Sequence, residues 1–319
     1  MRTDKFILAA LTALVLGACS NDNEPQPQSS FPEDGQVRIT AGINDIVTRA
    51  GVDNGNITGK EIGFFFTTPD KEKYTYANQK LTHNGSEWAA DENMYWADKT
   101  TQVTVIAYAP WENRATLDRR QDYHTPEAQS TPALLEAADL VYVKRTVNPA
   151  TIGTGGLTAD GKIDLPLRHI LSKIQLTLNI GTDITDETPD AAITAVVIKG
   201  LLKNGTIDLS DGTAAKHMTN TALVDITPCL TTNGSYEAIF LPQTVNLNFQ
   251  PSSFSVEVTL STGKTYVYTL SGEYTFAANT LYKLPIQVGT STPNVTFTKE
   301  GIKGESWGTD NSLGDNITD

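Results

Sequence analysis

The sequence predicts an all-β protein built as two antiparallel β-sandwich domains in tandem, with one short helix. Three observations carry this. Apolar residues alternate with polar ones at period two in segment after segment, turn residues punctuate those segments, and long patterns of helical period are missing between them. Strands without intervening helices pair as hairpins and sandwiches rather than as βαβ units. The 319 residues, at roughly 100–200 per domain, suffice for two cores.

The elements follow in chain order. Val37, Ile39, Ala41 and Ile43 alternate with Arg38, Thr40 and Gly42. Ile62 to Phe66 is a dense apolar strand. Val103, Val105 and Ala107 form the next. Thr131-Pro132 before Ala133-Leu134-Leu135-Glu136 is a helix start, with Thr131 as cap and proline in the first turn. Gly153 to Gly161 is a Gly-rich loop near a domain boundary expected around Asp164 to Pro166, dividing 36–165 from 166–319. Ile174, Leu176, Leu178 and Ile180 make a half-buried strand. Val196 to Leu202, Asn204-Gly205, then Ile207 and Leu209 predict a hairpin, because Asn-Gly suits positive φ angles. Phe254 to Leu260, Thr262-Gly263-Lys264, then Tyr266 and Tyr268 predict a second.

Composition narrows the function classes. Hydrophobic residues at 39% and charged ones at 19% describe a folded chain. A formal charge of −13 repels phosphate backbones, which argues against a nucleic-acid partner. Of the two cysteines, Cys19 is committed to the N-terminus as argued next, leaving Cys229 without a partner, so no disulfide framework is expected. Cys229 reads as a buried structural thiol.

Arg2 and Lys5 precede the apolar run Phe6 to Leu16, too short to span a bilayer as a folded helix. The run closes on Leu16-Gly17-Ala18-Cys19, which resembles the lipobox of bacterial lipoproteins. That resemblance implies a signal peptide over 1–18, cleavage between Ala18 and Cys19, and acylation of Cys19 by chains such as palmitate, a stable membrane anchor. Residues 19–35 are polar and Pro-rich apart from Phe31 and read as a flexible tether that could reach about 50 Å.

Catalytic and metal patterns fail on context, and no cofactor is expected. Gly304-Glu305-Ser306-Trp307-Gly308 spells G-x-S-x-G, yet the last histidine, His217, lies upstream and no helix follows. Gly156 to Lys162 spells most of a phosphate loop, but Ile163 replaces the Ser or Thr that holds Mg²⁺. His83, His124, His169 and His217 lack metal-ligand spacing. His169 reads as a hydrogen-bonded structural residue at the domain junction. Asp183, Asp186, Glu187 and Asp190 form an acidic loop without EF-hand spacing. Trp88, Trp96 and Trp111 suit either core packing or a sugar-stacking platform.

Several segments, in this order, resemble the fimbrillin family. They are Lys60-Glu61-Ile62-Gly63-Phe64-Phe65; Tyr95-Trp96-Ala97 with Val103 to Pro110; Leu165-Pro166-Leu167-Arg168-His169-Ile170-Leu171-Ser172-Lys173-Ile174; Tyr274-Thr275-Phe276 with Asn279 and Tyr282; and Ile302 with Trp307. The last pair is spaced two residues wider than the family pattern. The resemblance implies two transthyretin-like sandwiches and export as an outer-membrane lipoprotein. It further implies that an arginine-specific protease removes the first strand and that a strand from another subunit replaces it, a form of β-augmentation. Ile46-Val47-Thr48-Arg49-Ala50-Gly51 is similar to that cleavage site, with the cut between Arg49 and Ala50. The donor strand would lie near 293–308, with Val295, Phe297, Ile302 and Trp307; alternatively this segment completes its own domain. Two functions follow: a non-enzymatic structural subunit of a surface fimbrium, or a non-polymerising surface lipoprotein that binds glycan or host ligand as an adhesin.

Overall fold

The computed structural model describes residues 30–43, 59–181, 184, 193–217, 219–245, 254–289 and 294–307. In chain order the strands are β1 (Ile39–Ile43), β2 (Glu61–Thr67), β3 (Tyr76–His83), β4 (Trp88–Ala90), β5 (Val103–Ala109), β6 (Gln121–His124), β7 (Val141–Val147), β8 (Ile163–His169), β9 (Ser172–Ile180), β10 (Ile193–Leu202) and β11 (Asn204–Asp208). There follow β12 (Thr213–Lys216), β13 (Leu223–Ile226), β14 (Cys229–Leu230), β15 (Tyr236–Phe240), β16 (Gln243–Val245), β17 (Ser255–Leu260), β18 (Thr265–Leu270), β19 (Tyr274–Phe276), β20 (Thr280–Val288), β21 (Asn294–Phe297) and β22 (Lys303–Ser306). The helix α1 spans Pro132–Ala137, and the Thr131 hydroxyl accepts from the Leu134 amide, as its capping position requires.

The first core is enclosed by a seven-stranded sheet in the order β1-β8-β7-β5-β2-β3-β4. β8 changes partner along its length. Ile163 to Leu167 pair with β1, whereas Arg168 and His169 pair with β7. The sheet therefore folds over at β8 and brings β1 back towards β4. There Gln36 bridges Tyr95, the Val37 amide donates to Met94 O (2.8 Å) and the Trp96 amide donates to Gly35 O (2.9 Å). The second core lies between two five-stranded sheets, β13-β10-β17-β18-β21 and β14-β15-β9-β20-β22.

A third apolar cluster joins the two. The dense strand β2 explains it: Ile62, Phe64 and Phe66 face the first core, while Phe65 on the opposite face enters the junction. β5 divides likewise, with Val103, Val105 and Ala107 inward and Ile106 and Tyr108 outward. A strand covered on both faces loses its polar alternation. Leu135, Tyr142, Leu171, Cys229, Ile239 and Trp307 complete the junction. β6 from the first half also pairs with β11 from the second.

One expected hairpin is absent, and two further features add to the sequence reading. The Asn204-Gly205 hairpin does not form. β10 pairs with β13 and β17, and β11 with β6 and β12, so the chain crosses between sheets at Lys203. Gly205 serves close approach instead of a turn, since a Cβ there would stand 2.6 Å from Leu241 Cδ1. Three pairings, β1–β8, β9–β20 and β18–β21, are parallel within otherwise antiparallel sheets. Period-two patterning reports which face is buried but not strand direction. The position 165/166 lies within β8, whose two ends pair with β1 and β7. The second hairpin, β17–β18, forms as read, with Gly263 at φ +81°.

Candidate functional site

β1 stands at the end of its sheet, and among the described residues it is hydrogen-bonded as a ladder to β8 alone. The period-two pattern places Val37, Ile39 and Ala41 in the first core. Burying Val37 and Ile39 stabilises by roughly 1.5–3 kcal/mol each. On the outer face Arg38 forms a bidentate pair with Asp34 (3.0 and 2.5 Å), which holds the Asp34 carboxyl down to about 2. Phe31, the apolar residue in the segment read as a tether, stacks at a tilt on Trp96, with centroids 6.2 Å apart.

Two spaces flank β1. One, about 260 Å³, is lined by Val37 to Ile39 together with Leu81, Trp88 to Ala90 and Met94. The other, about 400 Å³, lies at the Ala41–Gly42 end. Its inner wall is made of core residues such as Ile62, Val141 and Leu167. Its outer rim carries an ion pair between Lys60 and Glu136. β1 is thus an edge strand, laddered to β8 along one side, with the residues just before it tied to Met94–Trp96 on the other. The cleavage site Arg49-Ala50 lies in 44–58 and the lipidation site Ala18-Cys19 in 1–29, both outside the described residues. The acidic loop residues Asp183, Asp186, Glu187 and Asp190 also lie outside them.

The candidate donor residues are engaged by their own chain. β21 pairs with β18, and Val295 and Phe297 pack half-buried against the second core. Ile302 is buried there, and β22 pairs with β20. Trp307, 2% exposed, stacks on His169 with centroids 3.7 Å apart and planes within 4°. His169 Nδ1 lies 2.8 Å from Asp139 Oδ2, and Lys173 Nζ sits 5.5 Å from the Trp307 ring. Both β21 and β22 are edge strands.

The other residues singled out in the sequence take the following places. Cys229 is buried, and burial pushes its thiol up. Trp96 is in the first core, Trp88 packs at its margin edge-on to His83, and Trp111 carries the Lys80 ammonium over its ring. His124 Nδ1 meets Asn204 Oδ1 at 2.6 Å. His217 Nδ1 accepts from the Thr219 and Asn220 amides. Ser306 is exposed on β22, not at a strand-to-helix turn. Sequence reasoning missed the buried pair Lys173–Glu237 (2.6 Å) and Asp139, because their partners come from distant strands.

An all-β chain of packed sheets, with β1 at the edge of one and β21 and β22 at the edges of two others, defines the class as a β-sandwich scaffold. The profile of fimbrillin-like proteins matches residues 48–306, so the chain belongs to that family. A relative from Bacteroides uniformis named "Putative fimbrium subunit Fim1C" is 28% identical over 229 residues, 69% of this chain and 70% of its own. Two crystal structures titled "putative cell adhesion protein" share the fold. One, from Bacteroides uniformis, is 21% identical with a TM-score of 0.56 over 86% of this chain and 99% of its own. The other, from Bacteroides ovatus, is 18% identical with a TM-score of 0.58 over 85% and 95%.

Proposed function

We propose that the chain is a structural subunit of cell-surface fimbriae, exported as an outer-membrane lipoprotein through Cys19 and assembled by strand exchange. An arginine-specific protease cuts between Arg49 and Ala50. β1 then leaves, and a strand of another fimbrial subunit enters the slot beside β8. The single observation that supports this most is the placement of β1, a terminal ribbon with an apolar face in the core and one ladder holding it. Losing it uncovers the edge of β8 and the core residues beneath, a surface that is unstable until another strand pairs with it. On this reading the two halves are tandem domains, the first accepting a strand. The segment 293–308 is the donor, once Val295, Phe297, Ile302 and Trp307 withdraw from their own sheets.

Brief treatment of the purified full chain with a trypsin-like protease tests the reading. A single early cut after Arg49, read by mass spectrometry, is expected to yield ordered polymers. A product that stays monomeric and keeps residues 37–43 after the cut overturns it.

A further inference from the structure

We infer that β8 couples the strand that leaves to the strand that is donated. It holds β1 along most of its length and, through His169 at its end, the latch that fastens the C-terminal segment. Given the strand-exchange reading, on which this rests, a subunit frees its C-terminal segment only after its own first strand has gone.

The seven residues of β8 divide between two tasks. Ile163 to Leu167 ladder to β1, whereas Arg168 and His169 ladder to β7. With β1 gone, those two positions are the whole of the ladder that β8 keeps among the described residues.

His169 sits in that remnant. Its ring lies face to face with Trp307, with centroids 3.7 Å apart and planes within 4°. His169 Nδ1 stands 3.0 and 2.8 Å from the two Asp139 oxygens, which fixes the orientation of the imidazole. Attraction between stacked faces is steep in distance, and a gap of about 0.5–1 Å forfeits roughly a quarter to a half of it. A small displacement at the end of β8 therefore weakens the stack.

Trp307 in turn carries the segment. From Val295 to Trp307 only Ile302 and Trp307 are buried, and all four residues of β22 are exposed. The Trp307 amide donates to Asn279 O (2.9 Å). Its indole Nε1 is buried and has no acceptor among the described residues. A buried donor without a partner weakens its own seat. The segment is thus an exposed strap with two plugs, one of them seated on the strand that also holds β1.

The test uses the full chain, uncut and cut at Arg49. Hydrogen exchange of the β22 amides is the readout, and the β17–β18 hairpin is the reference. Once the cut chain has lost residues 37–43, exchange in β22 is expected to rise about tenfold while the hairpin is unchanged. In the uncut chain His169→Gln is expected to raise β22 exchange likewise, and cutting then adds nothing. A His169→Gln chain whose β22 stays protected overturns the latch. Loss of β1 with β22 still protected overturns the coupling and leaves strand exchange standing. If β1 stays after the cut, the exchange reading fails, and Ile39→Ser in the uncut chain decides the coupling by itself. That change loosens β1 in the first core and is expected to raise exchange in β22 more than in the hairpin; an equal rise overturns the coupling.

Discussion

Lys173 is 2% exposed, with its ammonium 2.6 Å from Glu237 Oε2 and facing the Trp307 ring. The other Glu237 oxygen accepts from Gln175 Nε2 at 2.8 Å. A buried charge is tolerable only while so paired. Glu237→Ala is therefore expected to lose roughly 3–5 kcal/mol in urea unfolding, because it strands the lysine. Replacing both partners together, Lys173→Met with Glu237→Leu, is expected to recover most of that loss. A loss under about 1 kcal/mol for the single change would mean that water reaches the pair. Lys173 and His169 are legible in the chain as part of a dense motif after Leu165. Glu237 is not, since only the β9–β15 register brings it opposite Gln175. Side-chain partners across a sheet leave no local trace in the sequence.

At the level of elements, the two expected hairpins separate what local sequence decides from what it does not. Thr262-Gly263-Lys264 links strands that bury their faces in the same core, so turn and packing agree. Asn204-Gly205 has better turn residues, yet β10 buries Val196, Ile198 and Leu201 in the second core while β11 buries Ile207 in the junction. Packing of two faces against two different cores overrides a turn preference. Gly205→Ala is accordingly expected to destabilise by about 1–3 kcal/mol, since the added carbon meets Leu241 Cδ1 at 2.6 Å and Ala215 O at 2.5 Å. Thermal unfolding checks this, with Gly263→Ala as the contrast: nothing lies within 4 Å there, and its cost comes from φ +81° alone. An unchanged Tm for Gly205→Ala would show that β11 shifts freely. β1, by contrast, is legible throughout, because its alternating face answers to a single core.

Across the whole molecule, the all-β class and the existence of two cores follow from patterning, whereas the third core does not. Phe65, Ile106 and Tyr108 sit at positions that alternation assigns to solvent, and the second half of the chain covers them. Their burial has a titratable consequence. Tyr108 and Tyr142 are each 1% exposed, and burial pushes both phenols up to about 12. Burial raises Tyr123, whose hydroxyl donates to Ala138 O at 2.8 Å, in the same direction. In the unfolded chain a tyrosine ionises near 10. Above that pH the unfolded state therefore binds fewer protons than the folded state, and stability falls as pH rises. The contribution of these tyrosines is present in full below pH about 10 and is lost through about 12, roughly 2 kcal/mol for each of Tyr108 and Tyr142. Because both belong to the junction, alkaline titration should loosen the seam between the sandwiches. Chemical denaturation at stepped pH is expected to show a flat midpoint up to about 10 and a decline beyond it, and Tyr142→Phe should flatten part of that decline. A midpoint that stays level through pH 12, or a Tyr142→Phe variant that declines as steeply as the parent, would mean that the junction phenols are open to water and that the third core is not sealed.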